Sequence, residues 1–352
     1  MMKIGRLPVG PGSPPVIVAE LSGNHNGSLR RALRLVEAAA KAGAQAIKIQ
    51  TYTAQTITLP SKAKPFQISH RGSLWRGTTL HRLYQRAHTP WAWHEPIFAR
   101  AKQLGLVYFS TPFDNTAVDF LESLQVPAYK IASFEITHLP LIERVAQTGK
   151  PVLLSIGMAT VPEIRAAVRT AKDAGCRSLI LLKCTSSYPA DVRQSNLLTL
   201  PDMQRRFRLP VGLSDHTLGL GAAAAAVALG ACLVEKHLCL SRDEGGVDAG
   251  FSLEPGEMRQ LVRAVRDSWS GLGKVQYGAT PGEKSSRRFR RSIFLGRALR
   301  KKERIHFRDL LFLRPRIGIP VEEYRKVLGR KLKQNLGKHA ALQWQHLLPS
   351  SR

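Results

Sequence analysis

Eight short apolar runs rich in β-branched residues recur along the chain with amphipathic stretches between them, at 16–21, 46–52, 107–112, 128–133, 152–157, 179–185, 211–215 and 232–238. Runs that stay apolar rather than alternating fit strands buried on both faces, the condition of a parallel sheet. The intervening stretches read as helices. Ser28 stands as an N-cap before Leu29, Leu33, Val36 and Ala40 on one face, and Gly43 supplies the stop; Thr160 with Pro162 opens another helix that Gly175 closes. Eight strand and helix units over roughly 250 residues match a closed (β/α)8 barrel, the TIM barrel, better than an open doubly wound sheet. The first strand also lacks the GxGxxG fingerprint that a dinucleotide-binding sheet would carry there.

A chain of 352 residues exceeds what one core usually fills, so a second, smaller domain is expected. The barrel domain is assigned to 1–272, an aperiodic Gly, Pro, Ser and Arg linker to 273–291, and a small basic domain to 292–352. Between the second strand and its helix lies a long insertion, 53–90, with no evident periodicity; insertions of that length commonly serve as lids or partner surfaces. Hydrophobic residues make up 43% of the chain, enough for a large core and against disorder. Cys176, Cys184, Cys232 and Cys239 show no CxxC spacing and sit in or beside apolar runs, so they read as reduced, buried small side chains. No apolar stretch follows the basic opening residues as in an export signal, and the longest apolar run, 218–234, falls short of the ~20 residues that cross a bilayer; a cytoplasmic protein is expected.

The formal net charge is +28, from 53 Lys and Arg against 25 Asp and Glu, and 20 of the basic residues lie from Lys284 onward. Such a field speeds the arrival of anionic substrates and favours non-specific nucleic-acid contact, but does not choose between them. The run 287–291 reads as a solvated linker before it reads as a phosphate grip.

Position carries the strongest functional signal. Nearly every candidate strand ends in a polar or ionisable residue: Glu20; Lys48 with Gln50; Thr111; Ser133 with Glu135 just beyond Lys130; Ser155; Lys183 with Thr185, followed by Ser186 and Tyr188; Ser214 with His216; and Glu235 with His237. In a (β/α) barrel those ends form the rim where active sites are built, so the pattern points to an enzyme. His216 and His237, from adjacent strand ends, could share one divalent cation. Two protein ligands leave the ion open to substrate, which suits Mn or Mg as a Lewis acid more than structural zinc. Asp215 and Glu235 read as partners of those ligands or as interior acids. Lys48 and Lys130, with the hydroxyls of Ser133, Ser155, Ser186 and Ser214, form a plausible cradle for a phosphate and a carboxylate.

Six segments, at 19–27, 47–51, 110–113, 129–133, 212–217 and 235–237, together resemble the sialic acid synthase family, and the likeness extends from 291 through Arg314 and Pro315 to Trp344, similar to that family's antifreeze-like (SAF) domain. Segments 87–91, 183–189 and 245–255 resemble its pseudaminic acid synthase branch. Relatives that make N-acetylneuraminate often have Asn where Ser186 stands and Pro where Val247 stands.

The resemblance implies condensation of phosphoenolpyruvate with an acetamido sugar, 2,4-diacetamido-2,4,6-trideoxy-L-altrose in the pseudaminic branch, giving a nine-carbon 2-keto acid and phosphate. N-acetylneuraminate or legionaminic acid synthesis is the alternative within the family, and a nucleic-acid-binding protein on an inactive barrel is the alternative outside it. The resemblance further implies that Lys48, Thr111, Lys130, Ser133, Ser155, Ser186 and Ser214 hold phosphoenolpyruvate. On the same basis His216 and His237 bind the metal, and Gln50, Tyr188 and Asp248 face the sugar. Glu20 and Glu135 are the candidates for moving protons, and Arg314 would reach over the barrel of a partner in a domain-swapped homodimer. Arg316 stands where the family has Gly, which places the turn after Arg314 in question, and Leu238-Cys239 replaces a more usual Phe-Thr pair beside the metal ligand.

Overall fold

The computed structural model describes residues 2–70 and 72–349. The chain divides into two compact units, Met1–Gly273 and Lys274–Arg352.

The first unit opens with a hairpin, β1 (Met2–Ile4) and β2 (Leu7–Val9), absent from the sequence expectation. Eight parallel strands follow: β3 (Val16–Glu20), β4 (Ala46–Thr51), β5 (Val107–Pro112), β6 (Tyr129–Ile131), β7 (Val152–Ser155), β8 (Leu179–Cys184), β9 (Val211–Asp215) and β10 (Leu233–His237). They close in the ring order β10-β3-β4-β5-β6-β7-β8-β9, with helices between them, so the fold is the (β/α)8 TIM barrel. The helix Leu29–Ala42 forms as its sequence dictates. Ser28 Oγ accepts from the Arg31 N–H at 3.3 Å, and Gly43 ends the helix at φ +90°, a conformation that costs a glycine nothing. Thr160 and Glu163 form a reciprocal capping box at the head of the helix Val161–Asp173.

Period-two alternation divides each strand between two cores. Outward residues such as Ile17, Ala19, Ile47, Ile49, Ile131, Leu154 and Leu181 pack under the helices. Inward residues at the strand starts, Val16, Val18, Ala46, Val107, Phe109, Leu153, Ile180, Leu182 and Leu233, fill the barrel floor, with Ile4 and Val9 of the hairpin packed against them. The inward positions that follow are Glu20, Lys48, Thr111, Lys130, Ser155, Cys184, Ser214, Glu235 and His237, all buried. The barrel interior thus changes from hydrocarbon to ionisable groups within one or two residue pairs along each strand.

The insertion 53–90 is more ordered than its sequence indicates. It holds a short helical turn, Ala54–Ile57, a bridge between Gln67 and Thr79, and a helix Leu80–Ala87 capped by Thr79. All four cysteines are free and buried.

The second unit has its own core, Ile293, Leu295, Leu299, Ile305, Leu310, Ile319, Val327, Leu332, Leu342 and Leu347, built on the antiparallel pair β11 (Ser292–Leu295) and β12 (Leu310–Leu313). Residues 281–291 are exposed, in keeping with a solvated basic run. Arg316 is not among the positive-φ residues: its N–H donates to the Arg288 carbonyl at 2.9 Å, so this turn does not need the glycine. Arg314 is exposed.

Candidate active site

The rim is organised around Glu235. Its Oε1 lies 3.6 Å from Lys48 Nζ and 3.3 Å from Lys130 Nζ, and it accepts from Ser214 Oγ at 3.1 Å. Lys48 also pairs with Glu20 and donates to Thr111 Oγ1 at 3.1 Å. All of these residues are buried. Burial of two carboxylates and two ammonium groups is costly unless each is paired, and here the pairing is continuous across β3, β4, β6 and β10. Burial alone would raise the Glu235 carboxyl, but Lys130 and Lys48 more than reverse it and hold it below the usual range. Burial pushes Glu20 up despite Lys48, and pulls Lys130 down despite Glu235. Gln50 Nε2 reaches Glu20 Oε1 at 3.4 Å.

Beside this cluster, hydroxyls gather at or just past the ends of β6, β7 and β8. Ser133 Oγ accepts from the Gly157 N–H at 3.1 Å, and Ser155 Oγ is buried without a hydrogen-bond partner. A Cβ on Gly157 would come within 2.3 Å of Ser186 Oγ and 2.7 Å of Ser133 Oγ, so only a glycine allows the hydroxyls to converge. Glu135 follows Ser133 in the same 3-10 turn; its buried Oε2 has no partner, and burial raises the carboxyl to about 7.

His216 and His237 face each other with ring centroids 5.2 Å apart. His216 Nδ1 lies 3.1 Å from the Thr185 carbonyl and donates there, so Nε2 is the nitrogen left to face a cation. His237 Nδ1 is buried with no hydrogen-bond partner, 3.9 Å from Asp248 Oδ2. Burial, His216 and the two lysines lower the His237 pKa well below the ordinary value, which keeps its imidazole neutral. Burial would lower His216, but Cys184 beside it more than reverses this and holds it above the ordinary value. A neutral His237 and a His216 Nε2 that gives up its proton on binding suit a divalent cation whose remaining positions belong to substrate or water, so the donor set fits the ion that the sequence implies. Among the described residues, no group of three or more His, Cys, Asp and Glu could hold a metal.

The far wall is aromatic. Phe251 packs on both imidazoles, and Tyr188 lies 4.6 Å from His216 and 5.1 Å from Phe251 by ring centroids. Asp248 accepts from Ser22 Oγ, and burial raises its carboxyl to about 7.

The structure therefore gathers Glu20, Lys48, Gln50, Thr111, Lys130, Ser133, Glu135, Ser155, Ser186, Tyr188, Ser214, His216, His237 and Asp248 at one end of the barrel. It corrects the reading of the sixth and seventh strands. Lys183 Nζ donates to the Cys184 carbonyl at 2.9 Å and to Thr185 Oγ1 at 3.4 Å, while Thr185 Oγ1 donates to the Gln194 carbonyl, so neither side chain joins the cluster. The inward residue is Cys184, whose Sγ lies 3.8 Å from both His216 Nδ1 and Ser186 Oγ. Burial would raise this thiol, but His216, Ser133 and Lys130 bring it down to about 6. Asp215 also faces outward, pairing with Lys236 at 2.5 Å. Leu238 is buried under the helices, so it forms no wall beside His237.

Residues 35–277 match the NeuB family. A pseudaminic acid synthase of Helicobacter pylori is 40% identical over 92% of this chain and 95% of its own. An N,N'-diacetyllegionaminic acid synthase of Legionella pneumophila is 36% identical over 97% of each. Among solved structures, the N-acetylneuraminic acid synthetase of Leptospira borgpetersenii in complex with citrate superposes with a TM-score of 0.72 at 31% identity, covering 81% of this chain and 94% of that one.

Proposed function

The chain belongs to the NeuB family, and from that premise we propose that it is a pseudaminic acid synthase, condensing phosphoenolpyruvate with 2,4-diacetamido-2,4,6-trideoxy-L-altrose. The observation that carries the reading is the run of buried charge from Glu20 through Lys48 and Glu235 to Lys130, beside two facing imidazoles. Lys48 and Lys130 offset the charge of the enol phosphate, with Thr111 fixing the Lys48 head and Ser214 fixing the Glu235 carboxylate between the two lysines. Ser133 and Ser186, converging over Gly157, and the unpartnered Ser155 take up phosphate or carboxylate oxygens. His216 and His237 would hold a divalent cation, Mn or Mg, which when bound supplies Lewis-acid stabilisation of the oxygen on which charge develops. C3 of the enol forms the new bond to the aldehyde carbon. Water adds at C2, and the C–O bond to phosphate breaks. Glu20 and Glu135, both with raised carboxyl pKa, stand where protons are exchanged with that water and the new hydroxyl. Gln50, Tyr188 and Asp248 face the sugar.

The proposal extends to the second unit as an antifreeze-like domain, and to a domain-swapped homodimer in which Arg314 serves a partner's barrel. A crescent of exposed apolar side chains on the loops after β6 to β9, Phe134, Met158, Val192 and Leu218, supports a covered rim in the assembly. No helix among the described residues is long and apolar enough to cross a membrane, and a cytoplasmic location is proposed with the rest.

The test is phosphate release from phosphoenolpyruvate with Mn and a panel of acetamido sugars, with mass detection of the keto acid. The diacetamido altrose is expected to react fastest. A faster reaction with N-acetylmannosamine or the diacetamido precursor of legionaminic acid would move the assignment within the family, and no release with any sugar would refute it.

A further inference from the structure

In the closed ring β10-β3-β4-β5-β6-β7-β8-β9, β4 and β8 stand four strands apart and so on opposite sides of the mouth. The insertion leaves the end of β4, yet its side chains meet the loop after β10, two strands away, and the loop after β8, on the opposite side. The Trp75 indole Nε1–H donates to the Val247 carbonyl at 2.7 Å, in the loop after β10, and its ring lies 5.7 Å by centroid from Tyr188, after β8. Leu74 lies against Gly250, where an added Cβ would come within 3.3 Å of it. At the base of this excursion Ile68 donates to the Thr78 carbonyl at 2.9 Å and Gly77 returns a bond to the Ile68 carbonyl, so the arm is braced by its own backbone.

Both contacts of Trp75 end on groups of the sugar side. Tyr188 continues into His216, and Val247 immediately precedes Asp248, which holds Ser22. By contrast, no bond or ring contact of Trp75 is made to Lys48, Lys130, Ser155 or Gly157, on which the enol phosphate is placed.

We propose that Trp75 is a positioning residue for the acceptor sugar: it pins the 53–90 insertion across the mouth and fixes the Tyr188 ring and the Asp248 loop against which the sugar is held. This rests on the synthase reading for the identity of the sugar, but the pinning itself is a property of the free protein. Trp75→Ala removes the indole donor and the ring contact together, whereas Trp75→Phe keeps a ring beside Tyr188 and loses only the donor.

Steady-state phosphate release, varying each substrate in turn, separates the two sides of the site. Trp75→Ala is expected to raise KM for the sugar about tenfold or more and leave KM for phosphoenolpyruvate within about twofold, with Trp75→Phe between it and the wild type. Unchanged constants, or two KM values rising together, would overturn the proposal. In parallel, trypsin cleavage within 53–90 is followed in the absence of substrate. It is expected to be faster in Trp75→Ala at an unaltered melting temperature, and equal rates would refute the pinning. If the wild type turns over no acetamido sugar, the synthase reading fails while the proteolysis comparison still decides the role of Trp75.

Discussion

The floor and the rim of the barrel are made by the same strands pointing side chains to the same interior, yet they obey opposite rules. The floor is Val16, Val18, Phe109, Leu153, Ile180, Leu182 and Leu233, hydrocarbon packed on hydrocarbon. One or two inward positions further on, the rim is Glu20, Lys48, Lys130, Glu235 and His237, equally buried and charged or polar. A stable barrel does not require the second layer, because buried ion pairs are often replaceable by apolar residues without loss of stability. The contrast therefore separates residues that hold the fold from residues retained for what they bind.

Lys48→Ala tests that separation at its most sensitive point. It leaves Glu20 without its partner and is expected to cut kcat/KM for phosphoenolpyruvate by ~1,000-fold or more, measured by phosphate release. In the floor, Phe109→Ala opens a cavity among fully buried neighbours and is expected to lower unfolding free energy by about 3–5 kcal/mol in urea titration. If the folded fraction retains its KM for phosphoenolpyruvate, floor and rim are functionally separable. Gly157→Ala lies between the two regions. The added methyl meets two serine hydroxyls that can rotate aside and the Ser133 Cβ at 3.0 Å, which must give by a few tenths of an ångström; the backbone is not in the left-handed region, so the fold survives while the cradle is displaced. KM for phosphoenolpyruvate is expected to rise about 10- to 100-fold, with little change in the melting temperature.

The smallest effect is expected at Glu135. Its carboxyl is raised from 4.5 to about 7 by burial, so the folded state favours the protonated form, and wild-type stability falls as pH rises from 4.5 through about 7. Glu135→Gln removes that titration. The two proteins should melt alike below pH 4.5, with the variant gaining steadily up to about pH 7 and keeping a constant lead above it. Parallel melting curves across the whole range would show that Glu135 is not held protonated by the fold.

Much of this arrangement was legible in the sequence, for a physical reason. A strand buried on both faces writes a continuous apolar run, and an ionisable residue at its end stands out against it. That contrast placed Glu20, Lys48, Lys130, Ser155, Ser214, Glu235 and His237, and fixed strand ends to within a residue or two. It could not assign a face where the run ends in several polar residues, and so Lys183 was grouped with the rim while Cys184, the inward side chain, was taken for a small hydrophobe. Parity counted from Ile180 and Leu182 would have found it. Glu235 was read only as an accessory acid because its role depends on two lysines brought from β4 and β6. The hairpin Met2–Val9 has strands of three residues, too short to write a period, and the contact of Trp75 with Val247 left no signal because its partner is distant in the chain.

The central claim, that the buried charges of the rim bind the enol phosphate, is tested most directly by calorimetric titration of phosphoenolpyruvate into the wild type and into Lys130→Met without sugar. The wild type should bind one equivalent per chain, and the variant should bind at least about 100-fold more weakly at an unchanged fold. Equal affinity in the two proteins would contradict the account.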